Sequence, residues 1–203
     1  VARDCDINAS NDTKETPLHW ACLAGRSEIA LYLLEKGADL FARTSAGNSL
    51  VHLSSEYGHE DLLLHCLGRG AEVDARNHRG DSALLLACRR GWLRGVQLLL
   101  DGGADAQVCN QEGYCAMSMA CSEGRTAVAR ELLAHGESPD AAGQSQSQSQ
   151  SQSQSQGPSR RVPLIAAILN GFEDLAVLLA QQGAELDARE EGSGATALHL
   201  AAR

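Results

Sequence analysis

The chain has 203 residues, a formal net charge of −9 and 43 % hydrophobic residues. Acidity of that size excludes a nucleic-acid platform, whose footprint is a strongly basic face, and no apolar run approaches the roughly 18 residues of a membrane span. With only two Trp, three Tyr and two Phe, the core has to be built from Leu, Ala and Val in thin layers, and a prior of roughly 100–200 residues per domain gives one domain.

Asp6-Ile7-Asn8-Ala9 reads as the tail of a preceding repeat, and the chain stops at Arg203 partway through a helix, so an excised, monomeric segment of a longer protein is expected. Thr16-Pro17 predicts a helix start, because Pro is harmless where the N–H has no partner and its fixed φ suits the first turn. Gly25 marks a reversal and Gly37 a helix C-terminus in left-handed geometry. The same order then returns every 33 residues, at Gly58 and Gly70, Gly91 and Gly103, Gly124 and Gly136, and, after one interval of 47, at Gly171 and Gly183. A fixed period is the signature of a solenoid whose units bury their apolar faces only by stacking. Helices of about two turns are marginal alone, so stacking has to stabilise them.

Within the period the same word recurs. Thr16-Pro17-Leu18-His19-Trp20-Ala21 reappears as Ser49-Leu50-Val51-His52-Leu53-Ser54 and as Thr196-Ala197-Leu198-His199-Leu200-Ala201. Weaker copies begin at Ser82, Cys115 and Val162, and units close with Gly37-Ala38-Asp39, Gly70-Ala71-Glu72, Gly103-Ala104-Asp105 and Gly183-Ala184-Glu185. These words closely resemble the ankyrin-repeat family over nearly the whole chain. Gly136-Glu137-Ser138 departs from the ending, and the third to fifth units lack the signature His. The resemblance implies an all-α solenoid of helix-turn-helix units with β-turn fingers. The expected division is a partial repeat at 1–10, repeats at 11–43, 44–76, 77–109, 110–156 and 157–189, and a partial repeat at 190–203.

The seven cysteines form no CxxC pair. Cys22, Cys88 and Cys121 share a small apolar position, so they read as core residues, and reduced thiols point to cytosol or nucleus. His19, His52 and His199 share another position. Units stacked roughly 8–10 Å apart cannot bring such a ladder within the ~2 Å of a zinc ion, so no metal and no cofactor are expected. The resemblance implies that these imidazoles bond the backbone of neighbouring turns. Trp20 stands where the motif has a core Leu, and Gly95 inside a helix reads as a weak point. There is no nucleophile elbow, Walker A loop, HExxH or dinucleotide fingerprint, which leaves no catalysis in this segment.

The resemblance places partner contacts on finger tips and the exposed face of each first helix. Here these include Asn48, Glu56 and Tyr57; His78, Arg79, Asp81, Arg89 and Arg90; and Gln111, Glu112, Tyr114 and Glu123. Tyr57 and Tyr114 stand out, since tyrosine is enriched among interface anchors. Arg76, Arg79, Arg89 and Arg90 form a basic spot in an acidic setting. Either it receives an acidic or phosphorylated group of a partner, since Arg forks bind such groups bidentately, or it pairs with Asp81, Glu56, Glu112 and Glu123 in a solvated charge mosaic. The unbroken Gln/Ser alternation from Gln144 to Gln156 has nothing to bury, so 143–157 is expected to be a disordered linker or finger extension, natural or engineered. The chain thus reads as a non-catalytic protein-interaction module. Two other readings stay open: the regulatory or targeting arm of a larger enzyme or membrane-trafficking protein, and a spacer within a longer solenoid.

Overall fold

The computed structural model describes residues 6–141, 162–190 and 194–202, all of whose regular structure is helical apart from one isolated bridge between Arg189 and Thr196. The Gln/Ser tract lies outside the described residues. The chain divides into two compact units, 1–104 and 105–203.

The first unit holds α1 (Pro17–Leu23), α2 (Ser27–Glu35), α3 (Leu50–Tyr57), α4 (Glu60–Gly68), α5 (Ala83–Arg90) and α6 (Leu93–Asp101). Each first helix packs on its own second helix and on the first helix of the next pair, and second helices do the same along the other side. Pro17 occupies the first turn of α1, as its locked φ favours. Leu62, Leu63, Val96 and Leu99 from the second helices meet Leu50, Leu84 and Leu85 from the first, all at 2 % exposure or less. Burying each such side chain stabilises by about 1.5–3 kcal/mol, which offsets the weakness of two-turn helices. Trp92, at the N-terminus of α6, lies over Gly95, where a Cβ would stand 2.0 Å from the indole. Gly95 is therefore the seat of a ring, and its helix-weakening effect is the lesser part of its role. Trp20 also departs from expectation, since it is 56 % exposed although its counterparts Leu53 and Leu86 are 3 % exposed.

The second unit holds α7 (Ala116–Ser122), α8 (Thr126–Ala134), α9 (Pro163–Leu169), α10 (Glu173–Gln181) and α11 (Ala197–Ala201). α9 packs directly on α7 and α11 on α9, so the helix pairs continue in order on either side of 142–161. Two bonds fix the register. Asp140 accepts from the backbone N–H of Glu185 at 3.0 Å, 45 residues on, as Asn8 accepts from that of Asp39 at 2.8 Å, 31 residues on. Asn170 donates to the Ser122 carbonyl across 48 residues, as Arg90 donates to the Glu56 carbonyl across 34. Both separations grow by the same 14 residues, so the insertion leaves the stacking register unchanged.

Candidate functional site

Three fingers are built on an asparagine, and the second on Thr44, whose hydroxyl accepts from the Asn48 N–H at 3.2 Å. Asn77 Oδ1 accepts from the N–H groups of Arg79 and Asp81 at 2.9 and 3.0 Å, and Asn110 accepts likewise from Glu112 and Tyr114 at 3.0 and 2.9 Å. Asn does this well because its short amide mimics a backbone turn. Asn11 makes the same pair of bonds, to Thr13 and Glu15. This periodic Asn was a sequence signal for the finger, and its role was missed.

In the first unit, successive fingers are joined by backbone bonds, Ser45 N–H to the Thr13 carbonyl at 2.8 Å and His78 N–H to the Ala46 carbonyl at 3.0 Å. Asn48 accepts from the Asn77 amide at 2.9 Å. Arg43 donates to the carbonyls of Gly47 and Arg76, and Arg76 donates to that of Gly80. Arg43 thus bridges the second and third fingers, and Arg76 braces the third from within. Asp81 is a correction to the exposed set: it is 2 % exposed, its N–H held by Asn77 and its carbonyl by His52 at 3.1 Å. Position 81 directly precedes Ser82, the N-cap of α5, where the finger turns inward.

His78 and Arg79 stand exposed at the third finger. At the ends of the first helices, Arg89 and Glu56 pair at 3.0 Å with both side chains about one-third exposed. Arg90 donates to the Glu56 carbonyl at 2.9 Å and lies over Gly58, where a Cβ would be 3.1 Å from its Nε. The charge mosaic therefore holds for Arg89, while Arg90 keeps an exposed position. Tyr57, 39 % exposed, stacks on His59 with ring centroids 6.3 Å apart, and His59 Nε2 bonds the Cys22 carbonyl at 2.8 Å. Burial, then the neighbouring Glu56 carboxylate, raises the Tyr57 pKa, so the phenol stays protonated as a donor.

In the second unit, Gln111 and Glu112 are exposed at the finger, Tyr114 is half-buried, and Glu123 is exposed at the end of α7. The backbone of Tyr114 is held on both sides by Asn110, at its carbonyl and its N–H.

Histidines and cysteines serve the frame. His52 Nδ1 accepts from the Ser49 N–H and hydroxyl at 3.3 and 2.8 Å, while Nε2 donates to the Asp81 carbonyl. His19 does the same between Thr16 and the Ala42 carbonyl. The imidazole thus closes a capping box in which His takes the place of Glu or Gln. Burial pushes the Cys22, Cys66 and Cys121 thiols up to about 12, so they are protonated and poor ligands. Among the described residues, no group of three or more His, Cys, Asp or Glu is arranged to hold a metal ion. No described helix is long and apolar enough to cross a membrane.

Stacked helix pairs, each reversing at a left-handed glycine and followed by a finger turn, define a helical repeat protein. Residues 51–142 match the family model for ankyrin repeats in three copies and residues 1–54 that for ankyrin repeats in many copies. The chain belongs to the ankyrin-repeat family, an all-α solenoid architecture whose members are generally protein-interaction modules. Among curated proteins it is similar to Palmitoyltransferase AKR1 of Lachancea kluyveri, 41 % identical over 54 residues, which are 26 % of this chain and 7 % of that protein. It is also similar to NF-kappa-B inhibitor alpha of Gallus gallus, 40 % identical over 47 residues, 23 % of this chain and 15 % of that protein. The matches span well under two thirds of either relative.

Proposed function

We propose that this chain is a non-catalytic scaffold that binds a protein or peptide partner through its finger tips and first-helix ends. The observation that carries this reading is the contrast at the third finger. Its backbone is held by Asn77, Arg76 and the bond to Ala46, while His78 and Arg79 project into solvent. A rigid frame that presents outward side chains loses little entropy on binding. Tyr57 supplies an aromatic anchor in the same unit, its phenol protonated and its ring already stacked.

Arg79 and Arg90 suit a partner segment with an acidic or phosphorylated group. Arg89 is the weaker candidate, because Glu56 already occupies its fork. The thiols of Cys22, Cys66 and Cys121, kept protonated by burial, support a cytoplasmic or nuclear setting, and the acidic net charge disfavours nucleic acid as the partner. A second reading, a regulatory or targeting arm of a larger enzyme, draws support from the similarity to an ankyrin-bearing palmitoyltransferase.

The test is affinity capture with the intact parent protein, compared with its Tyr57→Ala and Arg79→Glu variants by mass spectrometry. Loss of a partner at unchanged melting temperature supports the reading, and truncation of a central anchor costs about 2 kcal/mol or more. Retention of every partner by both variants would leave this surface with no recognition role and favour the spacer reading.

A further inference from the structure

The fourth finger carries a cysteine on each side of its base. There the Asn110 N–H bonds the Tyr114 carbonyl at 2.9 Å, as Thr44 bonds Asn48, Asn77 bonds Asp81 and Glu190 bonds Ala195 in other fingers. The residues just outside this bond face each other across the base, and Arg189 and Thr196 form such an antiparallel bridge. Other fingers fill the two places with Arg43 and Ser49, Arg76 and Ser82, or Arg189 and Thr196, whereas the fourth has Cys109 and Cys115. A pair flanking the bond in this way is of the non-hydrogen-bonded kind, whose Cα atoms stand about 4.5 Å apart with both side chains on one face. A disulfide needs a Cα separation of about 4.4–6.8 Å, so the backbone of this finger is already set for one.

The two thiols differ in access and in what they hold. Cys109 is half-buried and Cys115 fully buried, so an incoming oxidant meets Cys109 first. The Cys115 thiol donates to the Ala141 carbonyl in the following closing turn at 2.7 Å, and the Cys109 thiol to the Gln107 carbonyl at 3.4 Å. A disulfide has no S–H, so both donations end when the two sulfurs join. The Asn110 bonds to the Glu112 and Tyr114 N–H groups do not involve sulfur and persist. Cys121 is no rival for Cys115, because six residues of helix separate them by about 9 Å of rise, beyond disulfide reach.

We infer that Cys109 and Cys115 are a redox-modification site, closing to a reversible disulfide that pins the base of the fourth finger and releases its tie to Ala141. The oxidant is a small-molecule disulfide. The Cys109 thiolate attacks it, a mixed S–S bond forms, and one small thiolate leaves. The Cys115 thiolate then attacks the Cys109 sulfur, the internal S–S bond forms, and the second small thiolate leaves. The two protons given up by the cysteines end on the two small thiols, so two cysteines are oxidised and one disulfide is reduced. In a reducing compartment such a bond is transient and redox-sensing, and excess small thiol reverses it.

The probe is oxidised glutathione added to the folded full chain, followed by acid quench, alkylation in denaturant and peptide mapping. A Cys109–Cys115 disulfide is expected in the parent and in neither Cys109→Ser nor Cys115→Ser. Cys115→Ser carries the cap residue of α3 and α5, and circular dichroism checks that both variants fold. Hydrogen exchange then reads the tie: the Asp140 and Ala141 amides should exchange about threefold or more faster in the oxidised parent than in the reduced one. Dithiothreitol should restore the slower rate, and Cys109→Ser treated alike should show no change. Cys109 recovered as a mixed disulfide beside an alkylated Cys115 overturns the inference, and so does an internal disulfide that leaves the Asp140 and Ala141 amides unchanged.

Discussion

The start of a first helix is tied to the following closing turn in both compact units, and the chemistry of the tie differs. In the first unit, His19 at the third helical position bonds the Thr16 N–H behind it and the Ala42 carbonyl ahead. In the second, Ser118 accepts from the Cys115 N–H at 2.9 Å, and the Cys115 thiol bonds the Ala141 carbonyl at 2.7 Å. Thr16 and Ala42 lie as far apart in sequence as Cys115 and Ala141. The same link therefore runs from the third-position side chain in one unit and from the cap side chain in the other. The geometry is kept and the chemistry exchanged, so this link depends on a neutral imidazole at His19 and on a thiol at Cys115.

The largest expected difference comes from deleting the tie. His52 is fully buried, and His52→Ala leaves a cavity, removes the partner of the Ser49 N–H and strips the Asp81 carbonyl of one bond while that from the Asn77 N–H remains. The expected loss is about 3–5 kcal/mol, from a buried large-to-small change plus unmet polar groups. Ser118→Ala removes only a hydroxyl and orphans the Cys115 N–H, a loss of about 1–2 kcal/mol. Urea denaturation at neutral pH measures both, and equal losses would mean that the two ties are energetically the same.

Acid sharpens the comparison next. Burial, opposed by the bonds to the Asp81 and Ala75 carbonyls, holds the His52 pKa down from 6.5 to about 4. As pH falls below 6.5 the unfolded chain takes up a proton that the folded chain refuses until about pH 4. The unfolded state binds more protons throughout that window, so stability drops across it, by about 3 kcal/mol in total, and this contribution is flat below. His19 is lowered for the same first reason, burial, and acts in the same direction. Urea midpoints between pH 7.5 and 4 should fall less steeply in His52→Ala than in the parent. Parallel slopes would show that His52 is not the group being charged.

What could be read from the sequence is what one repeat dictates about itself. Pro17 and Pro163 open their helices, the glycines at 37, 70, 103, 136 and 183 take positive φ, and His19 and His52 bond backbone. All of these follow from contacts within one period or with its immediate successor. What escaped depends on which neighbour is present. Trp20 occupies a core position with nothing described beside it, Gly95 makes sense only with the Trp92 ring above it, and Arg89 is assigned by a Glu56 one repeat earlier. The site residues divide the same way. Finger exposure was legible at His78 and Arg79, whereas the inward turn of Asp81 was not, because Asp81 is buried through a bond from the preceding repeat's His52.

The smallest effect concerns a finger position at which the two units again keep one geometry with different residues. Lys14 has φ 57°, and its N–H bonds the Asn11 carbonyl at 2.9 Å; Gly113 in the second unit has φ 81° and bonds Asn110 at 3.1 Å. Gly47 and Gly80 occupy the same place in the first unit, at φ 79° and 77°. A side chain in this region meets its own backbone, and glycine does not. Lys14→Gly should therefore relieve strain in the folded state, partly offset by glycine's greater freedom in the unfolded one, for a net gain of up to about 1 kcal/mol. The reverse change, Gly113→Lys, should lose a comparable amount. Urea midpoints of the two variants decide it: if Lys14→Gly destabilises, the lysine makes a compensating contact that glycine lacks, and the first finger is held by more than its Asn11 turn.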